Sequence, residues 1–294
     1  MRSRRYLCAE GPGGFPVRHN ESESLRQAEG GWFIATAPFG KYTETIPVWS
    51  AINGRVGNRL ARHFAVSQHR LSGHAPMVSF TFDDAPDSAA SRGAPMLEEY
   101  GGRATFYLAG SQIGQWSGHW LGLSNDAILQ LRHCGHEIAC HTFSHCRAAD
   151  LDQAALAREI EQNRNYFHAL DPTIRLENFA YPYGLASIWR KPQLTKSFRS
   201  ARGILPGVNR DVIDLQLLRS TPLIDKDIDA GGIDRYFDET TSSGGWLIFY
   251  GHDVVNQPSP YGCTPSLLNH ALKAAQKRDV PIVTVAEALR RIGA

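Results

Sequence analysis

The feature of this sequence that most constrains its fold is an apolar run that ends in two adjacent carboxylates. Residues 77–82 (MVSFTF) contain no charged side chain, and Asp83 and Asp84 follow them directly. A strand with one face in water alternates apolar and polar side chains, whereas a strand of a parallel sheet is covered on both faces. The run therefore predicts a buried parallel strand with carboxylates at its carboxyl end.

Strand-like runs and helical patterns alternate from about residue 76 onwards. Strands are predicted at residues 77–82, 104–109, 136–140, 177–181, 215–219, 246–250 and 280–283. Helices are predicted over 94–100, 124–135, 188–198, 233–241, 265–278 and 285–292, with a further long helix capped by Asp150. This alternation indicates an α/β fold, either an open doubly wound sheet or a closed (β/α) barrel. Because no glycine-rich phosphate loop follows any strand, a dinucleotide-binding sheet has no support.

The segment before this alternation has a different character. Residues 1–30 are rich in Gly, Glu, Ser and Arg and show no period, and short strand-like runs follow at 32–35 and 45–49. We therefore divide the chain into an N-terminal extension with peripheral strands, residues 1–75, and a (β/α) domain, residues 76–294.

The composition excludes several classes of protein. The chain is 42% hydrophobic and 20% charged with a formal net charge of +2, which is typical of an enzyme-sized globular domain and not of a nucleic-acid binder. No stretch approaches the roughly 18 apolar residues of a transmembrane helix. Because no apolar segment follows the basic N-terminus, we expect a cytoplasmic protein, with a secreted or periplasmic location as the open alternative. The five cysteines form no compact framework, which favours reduced thiols.

Four polar groups fall at the carboxyl ends of predicted strands. They are the Asp83–Asp84 pair, the histidines His141 and His145, the segment Tyr181–Gly184, and His252. Because the carboxyl ends of parallel strands share one mouth, we expect these groups to converge there. A carboxylate and two imidazoles make an N/N/O ligand set for a divalent metal, and the second carboxylate remains as a base. The pattern favours a metal-dependent hydrolase.

Two other constellations fit the spacing less well. His136 and His141 are five residues apart, whereas the zincin pattern needs four, so on a helix their rings would point apart. A glycosidase would need Asp83 and Asp84 to flank one sugar bond, but adjacent strand residues point to opposite faces. Neither a zincin nor a glycosidase is therefore supported.

At these residues the sequence resembles the polysaccharide deacetylase superfamily, which includes the nodulation-type deacetylases of carbohydrate esterase family 4. The family motif Thr-Phe-Asp-Asp-Gly appears as residues 81–85 with Ala85 in place of glycine, and His-Ser/Thr-x-x-His is matched in full by residues 141–145. The motif Arg-x-Pro-Tyr appears as residues 180–183 with Ala180 in place of arginine, and the late histidine corresponds to His252. The resemblance covers roughly residues 76–290.

The resemblance implies a distorted, seven-stranded (β/α) barrel and a metal-dependent deacetylase that acts on carbon–nitrogen bonds other than peptide bonds. Zinc is the expected ion, with cobalt or nickel as alternatives, and its implied ligands are Asp84, His141 and His145. Asp83 is then the general base, His252 is the general acid, and the backbone N–H of Tyr183 stabilises the oxyanion.

The implied substrate is an acetylated amino-sugar oligo- or polysaccharide. We expect it to be contacted by a set of rim residues, namely Tyr181, Pro182, Tyr183 and Tyr261. Further aromatic side chains that could stack on sugar faces are Trp116, Trp120 and Trp189. The alternatives are an O-deacetylase, an amidase on a non-sugar substrate, and a catalytically inactive carbohydrate-binding barrel.

Several departures from the family pattern bear on the site. The family arginine that orients the base aspartate falls at Ala180, so this support is absent or comes from elsewhere. Arg199 and Arg202 are candidates, although surface charges on a helix are the commoner explanation. Ala85 matters if the turn needs a positive φ. The carboxylate that orients the late histidine is not apparent from sequence, and the candidates are Asp211 and Asp214. Because the ligands and the acid–base pair are all present, we expect a divergent but active member.

Overall fold

A seven-stranded parallel sheet forms the centre of the structure, a computed structural model that describes residues 57–71 and 73–294. From edge to edge its strands are β6 (Ser200–Arg202), β5 (Asn178–Ala180), β4 (Glu137–Cys140), β3 (Thr105–Leu108), β2 (Met77–Asp83), β9 (Trp246–Gly251) and β8 (Thr221–Pro222). The sheet curls into a barrel-like form with helices around it, so the expectation of a distorted seven-stranded (β/α) barrel is confirmed. The strands predicted at 32–35 and 45–49 lie outside the described residues.

The helices alternate with the strands along the chain. They are α1 (Ala94–Glu99), α2 (Asn125–His133), α3 (Gln153–Leu170), α4 (Lys191–Leu194), α5 (Ala230–Ser243), α6 (Pro265–Lys277) and α7 (Val285–Ile292). Ser124 caps α2 as predicted, whereas α3 is capped by Asp152 and not by Asp150, because the Asp152 side chain accepts the N–H of Ala155. Among the described residues, no helix has the length and apolar character needed to cross a membrane.

A second, two-stranded sheet lies outside the barrel. In it β1 (Gln68–Arg70) pairs antiparallel with β7 (Val212–Asp214). The helical residues 57–61 and the segment that follows them are joined to the barrel through Lys191. This fully buried side chain donates to the carbonyls of Ala61 and Phe64 and pairs with Asp214.

The central strand β2 contributes to the core on one face and to the polar rim on the other. All seven residues of β2 are buried. On one face Phe80 and Phe82 pack against Phe249 and Phe106, with ring centroids 5.5 and 5.4 Å apart. Burying one such side chain contributes about 1.5–3 kcal/mol. The opposite face carries the polar residues of β2, including Asp83, so the strand holds a carboxylate among otherwise buried groups.

Two strand predictions differ from the structure, and the edge strand β6 was not predicted. Residues 215–219 are not a strand, since the chain pairs instead at β7 and β8. Residues 280–283 contribute only a single bridge, between Ile282 and Val78. The strand Ser200–Arg202 was missed because a short segment that contains an arginine resembles a helix surface, yet all three of its residues are buried.

Candidate active site

The predicted polar groups lie together at the rim formed by the carboxyl ends of the central strands. Asp83 ends β2 and Asp84 follows it, while His141 and His252 directly follow β4 and β9. Three imidazoles surround Asp84: Nε2 of His145 and of His141 lie 2.9 and 3.4 Å from its Oδ1, and Nε2 of His252 lies 3.7 Å from its Oδ2. Residues far apart in sequence therefore form one site.

Asp84, His141 and His145 have the arrangement expected of a metal-binding set. One ligand atom from each lies within 4.8 Å of the other two. The buried Oδ1 of Asp84 has no partner in hydrogen-bonding geometry among the described residues, although two imidazole nitrogens face it. An orphaned carboxylate oxygen and two converging nitrogens fit a divalent ion, and a N₂O donor set suits zinc and similar metals.

The hydrogen bond of His141 and the charges around Asp84 bear on this arrangement. Nδ1 of His141 donates to the Ala180 carbonyl at 2.9 Å, which leaves Nε2 with the lone pair that a metal needs. Burial by itself would raise the pKa of Asp84, but His141 and His145 more than offset it and hold the pKa well below its usual range. Burial by itself would lower the pKa of His141, but the Asp84 and Asp83 carboxylates raise it by more, so the net shift is upward.

The loops that carry these residues are strained. Non-glycine residues with positive φ cluster here: Asp84 (62°), Ala85 (56°), Thr142 (60°), His145 (55°) and Tyr183 (59°). Left-handed backbone costs about 1–2 kcal/mol for such a residue, and this strain concentrates at functional sites. Ala85 thus adopts the conformation for which the family motif has glycine.

Asp83 is held by a buried arginine. Nη2 of Arg202 donates to both carboxylate oxygens of Asp83 at 2.5 and 2.6 Å, and the Arg202 side chain is fully buried. The guanidinium lies over the rings of Tyr107 and Tyr250, at 4.9 and 5.4 Å from their centroids. Burial would lower the pKa of Arg202, but the Asp83 charge opposes this and the net shift is upward. Asp83 therefore has a permanent, geometrically defined counter-charge.

The position of Arg202 decides between the alternatives that the sequence left open for the missing arginine at Ala180. Ala180 on β5 and Arg202 on β6 are register partners in parallel strands, so their side chains emerge side by side on the same face. The arginine that the motif lacks at Ala180 is thus supplied from the neighbouring strand. Arg199 is not involved, because it is partly exposed and pairs with Glu177 at 3.3 Å.

His252 is oriented by a backbone carbonyl and not by a carboxylate. Its Nδ1 lies 3.0 Å from the Tyr261 oxygen, so Nδ1 carries the proton and Nε2 faces the site. The expected partners Asp211 and Asp214 are elsewhere: Asp214 pairs with Lys191, and Asp211 occupies a left-handed turn with φ of 58°. A partner of this kind cannot be inferred from sequence, because any residue can supply a carbonyl.

The predicted substrate-contacting residues divide into two groups. Tyr183 and Tyr261 are 54% and 45% exposed, and their rings lie 4.6 Å from the His145 ring and 5.8 Å from the His252 ring. Tyr181 is buried, and its hydroxyl donates to the Gln216 carbonyl at 3.1 Å, so its side chain belongs to the core. Pro182 is buried as well.

The three tryptophans that the sequence suggests for sugar stacking differ in their surroundings. Trp120 packs against His252 with ring centroids 5.5 Å apart and is only 9% exposed. Trp116 and Trp189 are 65% and 73% exposed, and neither makes a ring contact with a site residue. Trp120 is therefore part of the wall beside His252.

Comparison with known proteins finds similar sequences among deacetylases. A family model described as polysaccharide deacetylase matches residues 71–193. The chain is 30% identical over 141 residues to a chitin deacetylase of Colletotrichum lindemuthianum, covering 48% of this chain and 51% of that protein. It is 31% identical over 87 residues to a bifunctional xylanase/deacetylase of Pseudobutyrivibrio xylanivorans, covering 29% of this chain and 13% of that one. The matched part thus spans about half or less of these curated relatives.

Solved structures share the fold. The chitin deacetylase of Colletotrichum lindemuthianum matches with a TM-score of 0.56 at 18% identity, over 76% of this chain and 89% of that one. A peptidoglycan deacetylase of Bacillus subtilis matches with a TM-score of 0.51 at 17% identity, over 74% and 92% of the two chains. The motifs of residues 81–85 and 141–145 lie within the matched segment. Residues 71–193 of this chain are therefore similar to the polysaccharide deacetylase family, and the fold of the larger part of the chain is that of the solved deacetylase structures.

Proposed function

We propose that this protein is a divalent-metal-dependent hydrolase that removes N-acetyl groups from an amino-sugar-containing carbohydrate. The observation that carries the proposal is the placement of an arginine-paired carboxylate, Asp83, directly beside the Asp84, His141 and His145 set. A carboxylate next to a metal-binding set, with the His252 imidazole 3.7 Å from Asp84, has the parts that amide or ester hydrolysis needs.

The metal would be held by Asp84, His141 and His145. Zinc fits this donor set best, and cobalt or nickel are alternatives. When bound, such an ion polarises the acyl carbonyl and makes water more acidic.

The acid–base steps fall to two residues of the chain. Asp83 takes a proton from the attacking water, and Arg202 holds the carboxylate in a fixed orientation for this transfer. His252, whose Nδ1 proton is held by the Tyr261 carbonyl, acts in its doubly protonated form: it delivers the Nε2 proton to the departing nitrogen and becomes a neutral imidazole. Following the family pattern, the backbone N–H of Tyr183 stabilises the negative charge that develops on the acyl oxygen.

The rim is suited to a sugar substrate. Tyr183 and Tyr261 expose about half of their surfaces beside His145 and His252. Aromatic faces of this kind pack well against the apolar faces of sugar rings. Arg147 and Lys226 lie over these two rings, at 5.0 and 5.3 Å from the centroids, and add hydrogen-bond donors around the rim.

The relatives bear on the choice of acyl bond. Their names refer to deacetylases of chitin and peptidoglycan, which supports an N-acetylated sugar, whereas the bifunctional xylanase/deacetylase supports an O-acetyl substrate as the second candidate. Lipid- or nucleotide-linked acetylated sugars are further substrates worth testing.

The test is acetate release from N-acetylated chitooligosaccharides and from acetylated xylan. Protein stripped by a chelator should be inactive and should recover with zinc or cobalt. Replacing Asp83 by asparagine should lower kcat by about 10²–10⁴-fold, because it removes the base. The exposed Asp87, replaced in the same way, is the matched control and should retain activity. Full activity in stripped protein or in the Asp83 variant would contradict the proposal.

A further inference from the structure

We propose that Glu159 is a positioning residue that sets the loop between His141 and His145 in its ligand-bearing conformation. The proposal rests on the metal site described under the proposed function. Glu159 lies on α3, outside the sequence motifs of that site, and it does not contact the ligand atoms. Its action on the site passes through the backbone of the loop.

The Glu159 carboxylate binds the middle of this loop with both oxygens. Its Oε2 accepts the backbone N–H groups of Phe143 and Ser144 at 2.9 and 2.8 Å, and its Oε1 accepts the hydroxyl of Ser144 at 2.8 Å. These are charge-assisted hydrogen bonds, which are stronger than bonds between neutral groups. A single side chain therefore holds two consecutive peptide groups between the two histidines.

The two histidines differ in how they are supported. The ring of His141 is fixed by its Nδ1 bond to the Ala180 carbonyl. Within the described part of the chain, the polar contact of the His145 ring is with Asp84, the other ligand, and no carbonyl or carboxylate from outside the set orients it. Metal-bound histidines are usually oriented through their second ring nitrogen. The position of His145 therefore depends on its backbone, which begins directly after Ser144.

That backbone needs external support. Thr142 and His145 have φ values of 60° and 55°, and they lie on either side of the two peptide groups bound by Glu159. Non-glycine residues hold such values only where the surroundings enforce them. The bonds to Glu159 supply this enforcement between the two strained positions.

The helix that carries Glu159, α3, is anchored in the core. Leu156 and Ile160 are buried in the core, and Asn163, one turn beyond Glu159, is fully buried. The Asn163 side chain donates to the Leu108 carbonyl at 2.9 Å and accepts the Gly110 N–H at 2.9 Å, at the end of β3. The carboxylate is therefore fixed relative to the strand ends that form the rim.

The experiment measures metal binding by the whole protein, apart from acetate release. Zinc affinity is determined by competition with a chromophoric chelator, and the absorption spectrum of the cobalt-loaded protein reports ligand geometry. We expect Glu159→Ala to weaken zinc binding by about 10–100-fold and to alter the cobalt spectrum. Glu159→Gln keeps an acceptor oxygen and should stay within about threefold of the wild type, since it can still accept the amide protons. Glu161→Ala, at an exposed position on the same helix, is the matched control.

The outcomes separate this inference from the proposed function. If Glu159→Ala folds and binds zinc like the wild type, the positioning role is wrong while the metal site stands. Should Glu159→Ala fail to fold, Glu159→Asp replaces it: the carboxylate is one methylene shorter, and unchanged affinity there would equally overturn the inference. If the wild type binds no divalent metal, the proposed metal site fails and the inference fails with it.

Discussion

Replacing Arg202 by alanine tests the most unusual feature of the site, an arginine supplied by the strand next to its motif position. The change removes both charge-assisted hydrogen bonds to Asp83, which is only 6% exposed, and leaves that carboxylate buried without its partner. Removing one member of a buried ion pair costs about 3–5 kcal/mol. For a domain of this size, that corresponds to a fall in Tm on the order of 10 °C. Because domains are stable by about 5–15 kcal/mol, the variant should still fold.

The catalytic effect should appear in kcat and not in KM. Arg202 is fully buried and does not reach the substrate, but a base displaced by about 1 Å costs on the order of 100-fold in rate. Acetate release at saturating and limiting substrate, with unfolding followed by calorimetry, measures both quantities. Arg199→Ala is the matched control: its ion pair with Glu177 is partly exposed, so it should cost less than about 1 kcal/mol and leave kcat unchanged.

A second variant tests whether position 180 can carry the guanidinium. Since Ala180 and Arg202 are register partners, Ala180→Arg combined with Arg202→Ala returns a guanidinium to the same face of the sheet. We expect the double variant to recover part of the lost kcat. A folded Arg202→Ala variant with kcat within about threefold of the wild type would refute the role assigned to this arginine.

Two further predictions concern stability. Burial lowers the pKa of His136 from its ordinary 6.5 by more than the Glu98 contact raises it, and protonating Nδ1 would break its bond to the Ala104 N–H. The stability that His136 contributes is therefore complete above about pH 6.5 and is lost as the pH falls below that value. Between pH 7 and 5 the Tm of His136→Asn should fall less than that of the wild type. The Tm of the control His133→Asn, at an exposed position, should fall as much as that of the wild type. If the Tm of all three proteins falls equally with pH, His136 is not the source of the pH-dependent stability. Asp279 has a φ of 52° just after α6, so Asp279→Gly should raise the free energy of unfolding by about 0.5–1 kcal/mol. Gly101→Ala, at a φ of 72°, should lower it by about the same amount, and urea unfolding measures both changes. A destabilising Asp279→Gly would show that residue 279 is not strained.

The strand ends and the ligand types could be predicted from sequence because both are local properties. The apolar run before Asp83 predicts a buried strand, and the spacing of His141 and His145 places two imidazoles on one short loop. Parallel strands share one carboxyl edge, so polar residues at strand ends converge whatever the details of packing. The family motifs consist of these same local segments, so the resemblance could also be drawn from the sequence.

The groups that support the site could not be assigned from sequence, which left Arg202 as one of two candidate arginines, because their roles depend on pairing across the fold. Arg202 reaches Asp83 only because β6 pairs with β5 in a register that sets Arg202 beside Ala180, and a three-residue strand leaves no periodic signal in sequence. His252 is oriented by a carbonyl, which every residue possesses, and Glu159 resembles any charged residue on a helix until α3 is placed against the loop. Sequence alone therefore determined which side chains make up the candidate site, and the tertiary structure decided which groups orient them, since orientation depends on strand register and helix packing between distant segments.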